Sequence, residues 1–384
     1  MFLIFNEENS KIEEISERVI YWYSIFYIQY LKDKEDVSSF IYKFGILYEG
    51  TYGFKCDIQK AVKYFELAAK YGNSNALAAL AISYLQGNGV KQDIAKGVSI
   101  IKSLTEQNDP EAYLLLGNMY FLGLGVEQNI PKGIECYESA SNLNNSEALF
   151  KLGNFYFTGK FVKKDLNKAR LLFEKAAELK NSDALLNLGG MWRDGDGVER
   201  NETKAIEYYE KSAEMNNERA LYNLGAYYLE GKNGKKDYKK AREYFEKSAK
   251  HNFPQANNML GRIYLLGTSV EKNYIKAREF FELSKDDSNS LYYLGLICLD
   301  GLGCEKDYHK AKYYFELSSK QGGDADAFLY LGSIYEYGLD VDKDISEAIK
   351  YYELAAKQKN SNAIFRLAEI YFGRNSFKKA REYL

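Results

Sequence analysis

Apolar residues return along the chain at intervals of four, as in the run Ala112, Leu116 and Tyr120. Side chains four positions apart lie on one face of an α-helix, so this spacing predicts a helix with one buried face. We call it helix A. The residue after Leu116 is a glycine. The same arrangement, with a small residue at that position, returns about every 36 residues. These column positions hold Gly45, Gly117, Gly153, Gly189, Gly225, Gly261, Gly295 and Gly332, with Ala81 and Ala368 as substitutes. Because glycine inside a helix costs up to about 1 kcal/mol relative to alanine, the column predicts that a neighbouring helix packs very closely there.

A second helix, helix B, is predicted after each helix A. Glycine-rich turns such as Gly87–Gly89 separate the two, and an Asp or Asn then precedes the next apolar run, as Asp165 does. Asp and Asn are strong N-cap residues, and glycine readily adopts the left-handed conformation that ends a helix. Each helix B carries two adjacent bulky residues, such as Leu172 and Phe173. The repeating unit is therefore a helix–turn–helix hairpin.

The recurring pattern joins an alanine, a Leu-Gly pair, a tyrosine, a Gly-x-Gly-Val turn, an aspartate, a Lys-Ala pair and a closing Ala-Ala pair. It resembles the Sel1-like repeat, a relative of the tetratricopeptide repeat. The resemblance implies an all-α fold, a right-handed α-superhelix (solenoid) of hairpins of about 36 residues each, with about nine and a half repeats in residues 38–384. Residues 1–37 are expected to form an N-terminal capping helix region, where Ser10 and Glu13 make a capping box. The apolar columns, including the aromatic residue three positions after each column glycine, such as Tyr156, are expected to be core.

Charge and cysteine content narrow the classes of function. The 384 residues include 52 basic and 54 acidic side chains, and this balance gives no sign of the basic surface that binds nucleic acid. The four cysteines form no disulfide framework. Cys136, Cys298 and Cys304 fall in apolar columns and are expected to be buried, whereas Cys56 lies in a turn. Four cysteines without a disulfide framework predict a reducing compartment and hence a cytoplasmic protein.

The N-terminal segment does not read as a membrane element. It lacks the basic start and long apolar core of a secretory signal. Its apolar stretch, residues 19–31, is shorter than the roughly 20 residues that a membrane span needs. We therefore interpret the segment as a cap on the first repeat. A helix lying at a membrane interface is the alternative.

Residues suited to catalysis or cofactor binding are sparse. The two histidines, His251 and His309, cannot form a metal site or a catalytic triad by themselves. Ser-x-x-Lys motifs begin at Ser99, Ser269 and Ser376, and the motif matters because some relatives were once named as penicillin-hydrolysing. The companion motifs Ser-Asp-Asn and Lys-Thr-Gly are absent from the sequence. We therefore predict a protein that is not an enzyme and uses no metal or cofactor; a penicillin hydrolase is the less favoured alternative.

The surface of helix A supplies the candidate binding residues. The resemblance implies a scaffold or adaptor in which helix A lines the concave face. Next to the column glycines, asparagines occupy the middle repeats and aromatics the later ones; the candidates are Asn118, Asn154, Asn187, Asn223, Arg262, Tyr292, Tyr293 and Tyr330. An asparagine amide can hydrogen-bond to any peptide backbone, and exposed aromatics anchor partners. We predict that this concave surface binds a protein or peptide partner. The alternatives are a merely solvated asparagine-rich face and an immunity protein that neutralises a cognate toxin.

Overall fold

The computed structural model describes residues 34–50, 56–231, 236–322 and 325–383. Within these ranges the chain is helical with connecting turns and has no β-strand, which confirms the all-α prediction. The predicted capping box at Ser10 and Glu13 lies outside the described residues. The first described helix begins at Lys34, inside the region 1–37 that the sequence assigns to the cap. Two compact units divide the chain, Met1–Ala184 (unit 1) and Leu185–Leu384 (unit 2).

The described residues contain twenty helices. The first ten are α1 (Lys34–Tyr48), α2 (Ile58–Lys70), α3 (Ser74–Gln86), α4 (Ile94–Glu106), α5 (Pro110–Leu122), α6 (Ile130–Asn142), α7 (Ser146–Thr158), α8 (Leu166–Glu178), α9 (Ser182–Asp194) and α10 (Glu202–Glu214). The others are α11 (Glu218–Glu230), α12 (Tyr238–Lys250), α13 (Pro254–Leu266), α14 (Tyr274–Glu282), α15 (Ser288–Asp300), α16 (Tyr308–Lys320), α17 (Ala325–Tyr337), α18 (Ile345–Lys357), α19 (Ser361–Gly373) and α20 (Phe377–Glu382).

The odd-numbered helices are helix A and the even-numbered helices are helix B of the predicted hairpins. Within each unit a helix A packs against the helix B that follows it, and that helix B packs against the next helix A. The predicted caps of helix B are confirmed: Asp93 Oδ1 accepts a hydrogen bond from the backbone N–H of Lys96 at 2.9 Å. The equivalent caps are Asp57, Asn129, Asp165, Asn201, Asp237, Asn273, Asp307 and Asp344. Most of the described A helices end on a left-handed glycine, such as Gly159 with φ 74°, whereas α19 ends on Arg374.

The column glycines face aromatic rings. A Cβ added at Gly153 would lie 2.5 Å from the ring of Phe173, which follows on helix B of the same repeat. The other column glycines meet Phe65, Tyr137, Tyr209, Phe245, Phe281, Phe315 and Tyr352 in the same way. Where Ala81 replaces the glycine, the residue in the ring position is the fully buried but smaller Ile101. The close approach predicted at the column is therefore made by an aromatic ring of helix B. Where helix B carries the smaller Ile101 at that position, alanine fits in place of glycine.

Most aromatic residues three positions after the column glycine are only half-buried, contrary to expectation. The Tyr156 hydroxyl accepts a hydrogen bond from Lys168 Nζ at 2.6 Å, and that ammonium lies 4.1 Å from the ring centroid in cation–π geometry. Lysines lie in the same way over Tyr48, Tyr84, Tyr120, Trp192, Tyr228, Tyr264 and Tyr371. The lysine at the start of helix B stays hydrated, so the ring beneath it has to reach the surface. Cys298, which replaces the aromatic in one repeat, is buried.

A second asparagine column, at the N-terminus of helix A, joins successive repeats. Asn145 Oδ1 accepts a hydrogen bond from the backbone N–H of Ala148 at 2.9 Å, and its Nδ2 donates to Glu111 Oε1 of the preceding helix A at 2.8 Å. Asn360 reaches Asp326 of its preceding helix A at 2.7 Å. Asparagine suits this position because one side chain offers both an acceptor and donors. The asparagine content of the chain is thus partly structural.

The four cysteines are free thiols that differ in exposure. Cys298 is buried and Cys56 is exposed, as predicted, whereas Cys136 and Cys304 are only partly buried. Burial, assisted by the charge of Glu135, raises the pKa of Cys136 to about 11. Burial also raises the pKa of Cys298.

At pH 8 we expect a maleimide reagent to modify Cys56 well before the other three thiols. The thiolate is the reacting form, and a raised pKa together with burial suppresses it at Cys136 and Cys298, while partial burial shields Cys304. Mass spectrometry of the native protein over time should show a single early adduct, which the variant Cys56→Ser should lack. Early modification of Cys298 in that variant would contradict the packing described above.

Candidate partner-binding surface

Each helix A leaves one stripe of side chains uncovered by the rest of the repeat. On α11 this stripe consists of Arg219, Asn223, Ala226 and Glu230, none of which is buried. The positions lie six and two residues before the column glycine and one and five residues after it, so they share one face of the helix. The equivalent positions are also unburied on every other described helix A. We call these positions the helix-A stripe.

Seven of the eight sequence candidates lie on the helix-A stripe, but the asparagines among them are not equivalent. Asn118 Oδ1 accepts a hydrogen bond from the Tyr137 hydroxyl at 2.6 Å, so its amide is used by the fold. Asn154 and Asn187 are half-buried, and each interacts with another residue. Asn223 is also half-buried, and its side chain makes no hydrogen bond to any other described residue. Of the four predicted asparagines, Asn223 is the one whose amide the described part of the fold leaves available.

In unit 2, the helix-A stripe positions of successive repeats form a row. The residue two before the column glycine is Asn223 on α11, Met259 on α13, Tyr293 on α15 and Tyr330 on α17. Arg262, one turn further along α13, lies beside this line. We call these five residues the helix-A row. Toward the C-terminal end of the chain, the side chains of the row change from an amide to a thioether and a guanidinium, and then to two phenol rings.

Arg262 has an exposed guanidinium with no carboxylate within ion-pair distance among the described residues. Its Cζ lies 5.9 Å from the ring centroid of Tyr293, and its Nη1 lies 3.6 Å from the Met259 sulfur. Burial raises the pKa of Tyr222 on the neighbouring α11, and the Arg262 charge opposes that rise. The arginine is therefore a positive charge held over an aromatic face without internal compensation.

The other arginine on the stripes of unit 2 that contacts an aromatic ring is compensated. Arg366 donates to Glu369 Oε2 at 2.9 Å, lies 3.6 Å from Glu336 Oε2 and also contacts the Tyr337 hydroxyl. Glu336 in turn accepts a hydrogen bond from the Tyr352 hydroxyl at 2.6 Å. This network was not predicted from the sequence, although Glu336 lies four residues after Gly332 and therefore on the same side of helix A. Of these two arginines, Arg262 is the one that the described residues leave without a carboxylate partner.

The two row tyrosines are packed on one side and open on the other. Tyr293 stacks on the buried ring of Phe281, with centroids 5.0 Å apart and an interplanar angle of 13°. Tyr330 stacks on the buried ring of Phe315, with centroids 5.3 Å apart and an angle of 9°. Both side chains are half-buried. Each ring is thus held in place by the core and leaves part of its surface uncovered by the described residues.

Tyr292, the remaining candidate, lies one position off the helix-A stripe. Its ring contacts those of Tyr293 and Tyr330, with centroids 5.2 Å and 6.0 Å away. Burial and the neighbouring Tyr330 raise its pKa. The structure therefore places Tyr292 as a support between the two row tyrosines.

The part of the chain that the structure describes offers little support for a metal site, for a Ser-x-x-Lys catalytic site or for a membrane span. Within it, no group of three or more His, Cys, Asp or Glu side chains could hold a metal ion. His251 and His309 are both exposed, as are Ser99 and Lys102 of the first Ser-x-x-Lys motif. None of the described helices combines the length and apolar character needed to cross a membrane.

Comparison with known proteins agrees with this architecture. A crystal structure of c5321, a protective antigen present in uropathogenic Escherichia coli strains displaying an SLR fold, is 29% identical with a TM-score of 0.68 over 88% of this chain and 73% of that chain. A Sel1 repeat protein from Oxalobacter formigenes is 30% identical with a TM-score of 0.53 over 58% of this chain and 94% of that chain. The immunity protein Pa5087 from Pseudomonas aeruginosa, 21% identical with a TM-score of 0.37 over 65% of this chain and 81% of that chain, is too distant to bear on function. A search of curated proteins found no match.

The family assignment follows from the repeats themselves. Segments matching the Sel1 repeat cover residues 41–73, 74–109, 110–145, 146–181, 182–217, 218–253, 254–289, 288–323 and 325–360. These matches follow the helix A and helix B pairs described above. The chain belongs to the Sel1 repeat family.

Proposed function

We propose that this chain is a repeat scaffold that binds a peptide segment of a partner protein across the helix-A row of unit 2. The observation that carries the proposal is Arg262, an exposed and uncompensated guanidinium beside a half-open aromatic ring. Solenoid repeats typically present extended binding surfaces of this kind. A positive charge that the described fold does not neutralise suits an acidic group on a partner.

The spacing of the row fits an extended segment. Neighbouring packed helices lie about 8–10 Å apart, and an extended chain advances roughly 3.3 Å per residue. Row positions on successive helices would therefore meet every third residue of the segment. Direct packing of α13 against α15 places Met259 and Tyr293 on adjacent helices.

The side chains of the row specify the chemistry of the segment. Arg262 can form a bidentate pair with a carboxylate, and the half-open faces of Tyr293 and Tyr330 offer area for an aromatic or aliphatic side chain. The free amide of Asn223 can pair with the segment's backbone at the other end of the row. We therefore expect a segment in which an acidic residue is followed or preceded, about three residues away, by an apolar one.

Selection from a random peptide display library would test this expectation. The full chain should enrich peptides that combine Asp or Glu with an aromatic or aliphatic residue at this spacing. The variant Arg262→Glu should bind the enriched peptides at least about tenfold more weakly, because it replaces an attraction with a repulsion. Fluorescence anisotropy with the enriched peptides would measure the change.

The matched control is Lys239→Glu, which makes the same charge change at an exposed residue of helix B in the same unit. It should leave peptide binding and the melting temperature nearly unchanged. If Lys239→Glu weakens binding as much as Arg262→Glu does, the interaction is a general charge effect and the helix-A row is the wrong surface.

A further inference from the structure

Three of the rings that face column glycines are tyrosines, and their hydroxyls need partners. In two repeats helix A supplies one. The Tyr137 hydroxyl donates to Asn118 Oδ1 at 2.6 Å, and the Tyr352 hydroxyl donates to Glu336 Oε2 at 2.6 Å. These acceptors stand one and four residues after the column glycine, on the side of helix A that carries the stripe.

Tyr209 lacks such a partner. Its side chain is 3% exposed, and its buried hydroxyl makes no hydrogen bond to any residue that the structure describes. One residue after the column glycine of this repeat stands Gly190, which has no side chain, and four residues after it stands Arg193, which cannot accept a hydrogen bond. A Cβ added at Gly190 would meet a single neighbouring atom within 4 Å, the Tyr209 hydroxyl oxygen at 4.0 Å. The helix-A stripe therefore has a gap at Gly190 with an unpartnered donor at its base.

The charges around this gap favour a neutral acceptor. Arg193 donates to both carboxylate oxygens of Asp194, through Nε at 2.8 Å and Nη2 at 2.7 Å. The pair is close to neutral, and a second carboxylate would have to approach Asp194. Burial raises the pKa of Tyr209, so its hydroxyl remains a donor throughout the neutral range. In the repeat containing Tyr137 the group that fills the equivalent position is an amide carbonyl, that of Asn118.

We infer that the gap at Gly190 is a subsite for an amide carbonyl of the bound partner, with the Tyr209 hydroxyl as its donor. The inference rests on the proposed function, because α9 carries Gly190 on the same stripe that carries Asn223 on α11. The hydroxyl is covered in the free protein, so the carbonyl enters over Gly190 and needs a small shift of neighbouring side chains to reach it. The subsite would favour partners that present an unpaired carbonyl at this point of the segment.

Filling the gap from within tests the geometry without any partner. Gly190→Asn should reproduce the bond of Asn118 to Tyr137 and raise the melting temperature by about 2–4 °C. In a Tyr209→Phe background the same substitution should give a smaller rise, which reflects helix propensity alone. Tyr209→Phe by itself should leave the melting temperature within about 1 °C, whereas the matched variant Tyr137→Phe should lower it by about 2–4 °C, because it strands the Asn118 carbonyl.

Small amides test the donor directly. In protein labelled with carbon-13 at tyrosine Cζ, N-methylacetamide should shift the Tyr209 resonance in a saturable way, and Gly190→Asn should abolish the shift. N-methylacetamide mimics a main-chain carbonyl and acetamide a side-chain amide, so the tighter probe identifies the source of the carbonyl. Tighter binding of acetate than of either amide would overturn the assignment to a neutral acceptor.

Two outcomes would overturn the subsite itself. One is a loss of stability in Tyr209→Phe equal to that in Tyr137→Phe, because the Tyr209 hydroxyl would then already be paired in the folded protein. The other is a Tyr209 resonance that does not shift even at amide concentrations high enough to shift the resonances of solvent-exposed tyrosines. Both readouts are independent of Arg262 and of the selected peptides, so a failure of the proposed function and a failure of this inference are told apart.

Discussion

Replacing Phe173 with alanine is expected to lower the free energy of unfolding of unit 1 by about 3–5 kcal/mol. Phe173 is completely buried, and its ring packs directly against Gly153 on the facing helix A. Glycine cannot extend into the space that the ring leaves, so a cavity remains between α7 and α8. Urea unfolding followed by circular dichroism, together with hydrogen exchange of the α7 and α8 amides, would measure the loss, because repeat arrays do not always unfold in one step.

The matched control for this prediction is Tyr156→Ala in the same repeat. Tyr156 is half-buried beneath Lys168, so its loss should cost no more than about 2 kcal/mol, from partial burial and the cation–π contact. A second control exchanges sizes across the contact: Gly153→Ala should destabilise, and adding Phe173→Ile should restore stability, as in the natural pair of Ala81 with Ile101. Equal losses for Tyr156→Ala and Phe173→Ala would contradict this account of the core.

The fold could be predicted to a large extent because its signals are short in range and repeated. Asp93 caps α4 through a backbone amide three residues away, so its role depends on local spacing alone. The burial of Tyr156 depends instead on where Lys168 places its ammonium, twelve residues later and on another helix. The spacing of residues along the sequence shows only that Asp93 and Tyr156 each belong to a repeating column. It therefore gives the helices correctly and overestimates how deeply this aromatic column is buried.

The candidate site could be predicted only as a face. The positions of Asn118 and Asn154 relative to the column glycine are identical, yet Asn118 accepts a hydrogen bond from the Tyr137 hydroxyl, whereas the ring that faces Gly153 is that of Phe173, which has no hydroxyl. That difference is set by Tyr137 and Phe173 on helix B. Reading the two positions together would have identified Asn118 as structural. The same comparison draws attention to Gly190, where a tyrosine is present and its acceptor is not.

Replacing Tyr293 and Tyr330 together with alanine is expected to weaken peptide binding by at least about tenfold and also to lower the melting temperature. Aromatic anchors dominate the energetics of interfaces, and these two are held in place by stacking. Because each ring covers a buried ring, Phe281 or Phe315, the double variant should be less stable by about 2–4 kcal/mol but still folded. Anisotropy with selected peptides and thermal unfolding would measure the two effects.

Three comparisons separate binding from stability in this experiment. Replacing both tyrosines with phenylalanine keeps the stacking, so stability and most of the affinity should return. Tyr335→Ala removes a ring that stacks on Tyr351 away from the helix-A stripe; it should lower stability and leave affinity unchanged. The pair Asn187→Ala and Asn223→Ala should weaken binding less than the tyrosine pair does, because one net hydrogen bond contributes only about 0.5–1.5 kcal/mol. If binding survives the loss of both tyrosines at a temperature where the variant is folded, the aromatic end of the row does not anchor the partner, and the partner must be held elsewhere on the repeat surface.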